Sequence, residues 1–336
     1  MITNGWAETL CCSGCGGCYE FGDGVVVCRE CGFRFPVVDG IPLLIKDTTI
    51  GTSLDEGAYD EIHGITERTV DNTGEQWAKL IAQLGLDGED ALEIGAGSGV
   101  LTLGLLRHQA VRELTAIDVS HPFLRMLAPR VSADPTPVSF VVCDANEANF
   151  RGEAFGLVLG RSILHHLLDY DVTLRQCHAM LKPGGAAVFF EPVLEGKIVL
   201  TLLMALMLRC DETTDRLLSD THREKIRQRI RYQTKSAWHP QDRESLSRLE
   251  DKYIFRIDEL EEKGREAGFT EVEFLNNHGE VDPSYWIYFK RNLKLLGIPP
   301  ETIERYAWIG EEFANTYGLV FSDRLVTPMG YFVFRK

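Results

Sequence analysis

The rhythm of hydrophobic and polar positions changes repeatedly along the chain, and each change predicts an element. Ala91-Leu92-Glu93-Ile94 is a short apolar run that breaks into Gly95-Ala96-Gly97-Ser98-Gly99, and an amphipathic segment, Val100 to Arg107, follows at once. A strand-length apolar run, a glycine-rich break and a return at helical spacing predict a buried strand, a tight turn and a helix start. Further apolar runs follow at 113–118, 138–143, 155–159 and 186–190, with a helix expected over about 171–181. Continuous apolar strands alternating with helices predict an α/β fold with a mostly parallel, doubly wound sheet. Trp77, Leu80, Ile81 and Leu84 recur at helical spacing before Gly85, so a helix is expected over 75–84. Phe269 to Phe274 alternates like a half-buried strand, and Thr327 to Phe334 reads as the last one.

The first forty residues break this rhythm. They carry Cys11, Cys12, Cys15, Cys18, Cys28 and Cys31, with Cys12/Cys15 and Cys28/Cys31 forming two CxxC pairs around a hairpin-like segment. Four thiolates on two tight knuckles suit tetrahedral Zn²⁺ and leave no open position, so the expected site is structural. Cys15/Cys18 is also a CxxC, so a shifted ligand set stays open, as does a metal-free thiol cluster. After the second pair come Phe35, Pro36, Asp39, Gly40, Ile41 and Pro42. Together with the knuckles they resemble the small zinc-ribbon family typified by the activator subunit of tRNA and protein methyltransferases, over about residues 8–46.

The glycine turn carries chemistry through its backbone. A helix beginning there presents unpaired N–H groups and a positive dipole end. Asp118 ends the next strand about 20 residues on, the distance at which a carboxylate meets a ribose diol. Asp144-Ala145 ends the third strand, where an acid can accept from an exocyclic amine. A Leu164-His165-His166-Leu167 box, then Leu181-Lys182-Pro183-Gly184-Gly185, and then Glu191 complete the order.

In that order these motifs resemble the class I S-adenosylmethionine-dependent methyltransferase domain, from about residue 75 to 192. The resemblance implies a Rossmann-like, seven-stranded, mostly parallel sheet whose last strand is antiparallel, preceded by the ribbon and carrying helical lid insertions. It implies that Gly95, Ala96, Gly97 and Gly99 cradle the methionine part of the cofactor, Asp118 takes the ribose hydroxyls and Asp144 the adenine. Tyr59 is expected to cover the methionine end, and Glu93, Val119, Ala145 and Arg161 complete the expected contacts. Gly156 departs from the family, which usually has an acid there. A nicotinamide cofactor is the rival for the glycine turn; the Lys-Pro-Gly-Gly segment and the late strand pair argue against it. The expected domains are a zinc ribbon over 1–47, a linker and cofactor-covering segment over 48–74, and the methyltransferase domain over 75–336, with helical insertions at 193–250 and 281–325.

Composition narrows the acceptor. A net charge of −15 argues against a large nucleic-acid surface. No stretch is apolar for the roughly 20 residues that a membrane-spanning helix needs, and no basic-then-apolar leader opens the chain, so a cytosolic enzyme with reduced or metal-bound thiols is expected. Helix 196–209 is apolar nearly all round and is expected to be buried or to form a pocket wall. The stretch 221–235 carries Arg223, Lys225, Arg227, Arg229, Arg231 and Lys235: either a solvated face or a contact for an anionic acceptor. The two insertions are expected to form a lid over the acceptor, or alternatively oligomer contacts. Candidate general bases are His165, His166 and Glu191, with His121 and His239 further off. Three functions are carried forward: methyl transfer to a small molecule, as in secondary metabolism; RNA methylation using the ribbon; and a non-catalytic cofactor-binding scaffold.

Overall fold

A computed structural model describes residues 9–22, 24–45, 65–86, 88–148, 150–238, 242–276, 285–321 and 327–336. Tyr59, the short helix expected around it, and His239 lie outside the described residues.

The central sheet has seven strands: β5 (Ala91–Ile94), β6 (Leu114–Asp118), β7 (Val138–Val142), β8 (Phe155–Arg161), β9 (Leu181–Pro192), β10 (Glu271–Asn276) and β11 (Met329–Arg335). Their order across the sheet is β10-β11-β9-β8-β5-β6-β7. β5 to β9 pair in parallel, and β11 runs antiparallel to both its neighbours. Strands β5 and β7 are buried at every position, which is why they read as unbroken apolar runs. The chain winds outward from β5 to β7 and then returns to β8 on the other side of β5. That reversal opens a crevice beyond the carboxyl ends of β5 and β8.

Helix α1 (Glu67–Gln83) begins eight residues before the expected start. Thr66 caps it, accepting from Thr69 N–H at 3.2 Å. Its first half was obscured because it is held by backbone approach, with few apolar residues. A Cβ on Gly74 would lie 2.3 Å from the carbonyl oxygen of Gly104 in α2 (Val100–Arg107). Ser120 stands before α3 (His121–Val131) without a side-chain cap; its own N–H is donated to Asp118 instead. α4 (Tyr170–Met180) leads directly into β9, which takes in the Lys-Pro-Gly-Gly segment.

The N-terminal sheet holds β1 (Tyr19–Gly22), β2 (Val25–Cys28), β3 (Arg34–Val38) and β4 (Ile41–Pro42), all antiparallel. It does not hang free on its linker. Leu43 bridges to Val142 in parallel, Leu44 N–H donates to the Val142 carbonyl at 2.7 Å, and Leu10 bridges to Phe150. Leu10, Tyr19, Val26 and Phe35 share one apolar core with Phe150, Phe155 and the face of the large sheet.

After β9 come α5 (Leu194–Cys210), a π-turn (Asp211–Asp215), α6 (Asp220–Trp238), α7 (Arg243–Ser247) and α8 (Ile257–Glu266). The aromatic insertion is α9 (Tyr285–Leu295), α10 (Pro300–Arg305) and α11 (Ala307–Phe321). The two insertions pack on each other: Leu200, Met204 and Met207 of α5, Ile226 of α6, and Phe289, Tyr306 and Ile309 form a separate core. Asp211, fully buried, ties this layer together by accepting from Leu218 N–H, Arg223 Nε and Tyr306 Oη at 2.6–2.8 Å. Helix α5, expected to be buried or to form a pocket wall, buries Leu200, Leu203, Met204 and Met207 and leaves Leu202 and Leu206 exposed. Among the described residues, no helix is long and apolar enough to cross a membrane.

Candidate active site and thiol cluster

The glycine turn lies where the crevice opens. Gly95, Gly97 and Gly99 all have positive φ. At Gly95 an added Cβ would meet Ile163 at 2.6 Å, and at Gly99 it would meet Leu127 at 2.2 Å, so both glycines are required by their neighbours. Gly97 is different: its missing Cβ faces open space, the side from which a ligand could approach. Ser98 Oγ in the same turn is buried with no hydrogen-bond partner, a polar atom waiting for one.

Asp118 faces the turn from the end of β6. Its Oδ2 accepts from Gly97 N–H at 2.8 Å and its Oδ1 from Ser120 N–H at 2.8 Å. Burial raises its carboxyl above the usual range, opposed by these amides and that of Val119. Glu93, also buried, accepts from Thr102 Oγ1 at 2.6 Å. Burial, reinforced by the charge of Asp118, pushes Glu93 up to about 8 against the Thr102 bond. Asp144 uses Oδ1 to hold Asn146 N–H at 2.8 Å. A carboxylate offers about four lone-pair sites, so Asp118 and Asp144 both retain acceptor capacity beyond these bonds. Arg161, at the end of β8, lies 5.9 Å over the Phe190 ring. Glycines without Cβ, an orphaned hydroxyl and two carboxylates around one opening fit a nucleoside with a polar tail.

Beside the turn, Glu191 organises a second constellation. Fully buried at the end of β9, it accepts from Ile163 and Leu164 N–H on Oε1 at 2.9 and 2.8 Å. Its Oε2 is 2.6 Å from His165 Nδ1. The other ring nitrogen of His165 faces Asp251 Oδ1 at 3.5 Å. Burial works against a charge on His165, but Glu191 and Asp251 outweigh it and raise its pKa to about 9. The hydrogen bond from His165 holds Asp251 down at about 2. His166 goes the other way: burial, then the neighbouring imidazolium, keeps it below the usual histidine value. Its Nδ1 lies 2.9 Å from the Glu250 carbonyl, which accepts but cannot donate, so Nδ1 carries the proton and Nε2 is left basic.

The thiols gather as the spacing predicts. Sγ atoms of Cys12, Cys15, Cys28 and Cys31 all lie within 4.8 Å of one another, with Cys12–Cys31 at 3.8 Å and Cys15–Cys28 at 3.4 Å. Four sulfurs about 2.3 Å from a tetrahedral Zn²⁺ would be about 3.8 Å apart, so the donor set fits. The knuckles are near copies. Gly16 N–H donates to the Cys12 carbonyl and Gly32 N–H to that of Cys28. Cys11 and Cys18 pair by backbone instead, and Arg151 donates to Cys18 Sγ at 2.9 Å.

Sequence reasoning located the turn, both aspartates, the His box and the thiols. It missed Thr102, Ser98 and Asp251. Thr102 carried a signal, since a lone hydroxyl within an apolar helix after a Glu-bearing strand needs a partner. Asp251 carried none. His121 is turned to the ribbon, with Nε2 3.7 Å from Asp39 and 3.4 Å from the Val38 carbonyl.

Residues 92–189 match the profile of a family described as a methyltransferase domain. Among curated proteins, a ubiquinone biosynthesis O-methyltransferase of Coxiella burnetii is 24% identical over 107 residues, covering 32% of this chain and 45% of that protein. The hybrid PKS-NRPS synthetase mycA of Thermothelomyces thermophilus is 32% identical over 108 residues, which is 30% of this chain and 3% of that one. The chain therefore spans less than half the length of these relatives. Among solved structures, phosphoethanolamine N-methyltransferase 2 of Haemonchus contortus, in complex with S-adenosyl-L-methionine, aligns with 17% identity and a TM-score of 0.43 over 78% of this chain and 51% of that one.

Proposed function

We propose that this protein transfers a methyl group from S-adenosylmethionine to a small-molecule acceptor, and that its ribbon holds a structural Zn²⁺. The observation carrying the first reading is the Gly95–Gly99 turn facing Asp118 at the sheet's switch point, inside the segment that matches a methyltransferase domain. The acidic net charge favours a small acceptor over RNA, whose binding rests on phosphate contacts. The relatives named for ubiquinone biosynthesis and for a hybrid synthetase point the same way.

When bound, S-adenosylmethionine supplies a sulfonium-activated methyl. The chain's residues then have three tasks. Asp118 accepts from the ribose hydroxyls and Asp144 from the adenine amine, with Val119 and Ala145 beside them. The glycine turn, with Ala96, lets the methionine tail approach backbone N–H groups; Glu93, Arg161 and Tyr59 complete the expected set. Alignment of the acceptor in line with the methyl, with water excluded, contributes about 7–11 kcal/mol of the barrier in well-oriented systems. His166 is the base of choice where the acceptor must lose a proton, because it is neutral with Nε2 free. His165 and Glu191 act as positioning residues: one is already protonated, and the other is committed to three donors. The helical insertions form the acceptor's walls.

Calorimetric titration with S-adenosylhomocysteine tests the donor site. Wild-type protein should bind it, and Asp118→Ala should weaken binding at least tenfold through loss of charge-assisted hydrogen bonds. Equal affinity in the two proteins would refute the assignment. Elemental analysis should find one zinc per chain, and its absence from freshly purified protein would remove the metal.

A further inference from the structure

Basic helix α6 divides into two kinds of arginine. Arg223 is bonded to Asp211, Arg227 to Glu212, and Arg231 to Glu224. These are ordinary paired cations on a helix surface. Arg229 is not among them. Its Nε is buried with no hydrogen-bond partner, and its guanidinium forms no ion pair with the described residues.

Lys197 in the first turn of α5 repeats the pattern. It follows Glu191 by six residues, so it stands over the carboxyl edge of the sheet. Gly196 fixes that turn, since a Cβ there would lie 2.3 Å from the Thr327 carbonyl oxygen at the approach to β11. One turn further on, Thr201 Oγ1 donates to Gln233 Oε1 at 2.7 Å and clamps α6 against α5. Lys197 is half-buried. Its ammonium has no hydrogen-bond or ion-pair partner among the described residues. Arg229, Arg291 of α9 and Asp251 are near enough for their charges to act on it. Burial, with the two arginines, depresses it to about 8, and Asp251 only partly opposes them. Asp251 is already committed to His165.

An unpaired cation withdrawn from water is costly, and a second one near enough to repel it adds to the cost. Where such groups converge beside a reaction site, an anion from outside the chain is the missing partner. We infer that Lys197 and Arg229, with Arg291 at the rim, form an oxyanion-binding subsite that holds a carboxylate or phosphate on the methyl acceptor, next to the His166–Asp251 wall. This rests on the methyltransferase reading and names its substrate class. The planar Arg229, with its Nε buried and unpartnered, suits bidentate recognition of either group, with Lys197 as a point charge.

Phenyl phosphate and benzoate distinguish the two sources. Each is titrated calorimetrically into the full chain, with and without saturating S-adenosylhomocysteine. At least one should bind, and the one that binds identifies the oxyanion. Affinity should fall about tenfold or more in Lys197→Met and in Arg229→Met, while Lys197→Arg retains most of it and S-adenosylhomocysteine affinity stays unchanged. Because the methionine removes an unpaired buried charge, Lys197→Met should melt at or above the wild-type temperature. Binding of neither anion by wild-type protein would overturn the inference. So would undiminished binding in both Met variants, or a fall in Lys197→Met melting temperature of several degrees, which would assign the lysine to structure. If an anion binds and S-adenosylhomocysteine does not, the donor reading fails and the subsite stands.

Discussion

Replacing Glu191 by glutamine removes one charge while nearly preserving shape. Both backbone donors, Ile163 and Leu164 N–H, bond to the same oxygen, Oε1, so an amide oxygen placed there keeps both. Only the His165 contact on Oε2 changes character. In the wild type, His165 moves from 6.5 to about 9 on folding. At about 1.4 kcal/mol per unit of pKa, that corresponds to about 3–4 kcal/mol. The sign follows from proton counting. Between those values the folded chain binds a proton that the unfolded chain has released, so this stabilisation is full below pH 6.5 and disappears as pH rises through 9. Asp251 shares in holding this charge, so Glu191→Gln should cost up to about 3–4 kcal/mol at pH 6 and little at pH 9.5, where His165 is neutral and its Nδ1 can accept from the new amide. Urea denaturation at half-unit pH steps measures both curves. His166, whose folded value is lowered, contributes only at the acid end of this range. A variant whose stability runs parallel to the wild type across pH 6–9.5 would show that Glu191 does not hold His165 charged.

Glu191→Ala differs in kind: it orphans two buried amides at every pH and should cost about 2–6 kcal/mol throughout, measurable in the same experiment. Gly99→Ala combines a φ of +93° with a Cβ 2.2 Å from Leu127, and should lower stability by about 1–3 kcal/mol, read as a reduced urea midpoint. Cys12→Ser or Cys28→Ser should release zinc and loosen the ribbon, whereas Cys11→Ser should not; elemental analysis of the three separates the expected ligand set from a shifted one. Arg227→Ala should leave anion binding unchanged, since that side chain is spent on Glu212.

How far the sequence could be read depended on how far apart the interacting residues lie. Strands β5 to β9 were legible because parallel strands covered on both faces leave unbroken apolar runs, and the thiol knuckles because each is closed within five residues. Helix α1 was half hidden, since Gly74 holds it by a backbone contact that no periodicity records. The candidate site divides in the same way. Asp118 follows from the crossover length linking neighbouring parallel strands. Asp251 reaches His165 from 86 positions away, through a connection with no strand period, and nothing local marks it. The basic stretch was visible as composition, but only the packing separates Arg229 from its paired neighbours.

The seam between the two sheets has a consequence for assembly. A bare outer strand is a template for other chains, and Val142 would present such an edge. Leu43 and Leu44 occupy it instead, so the segment that follows β4 acts as a bumper on that flank. Trimmed to 65–336, the chain would meet its own copies along this rim, and self-association should rise even if the crevice beyond the carboxyl ends of the strands were untouched.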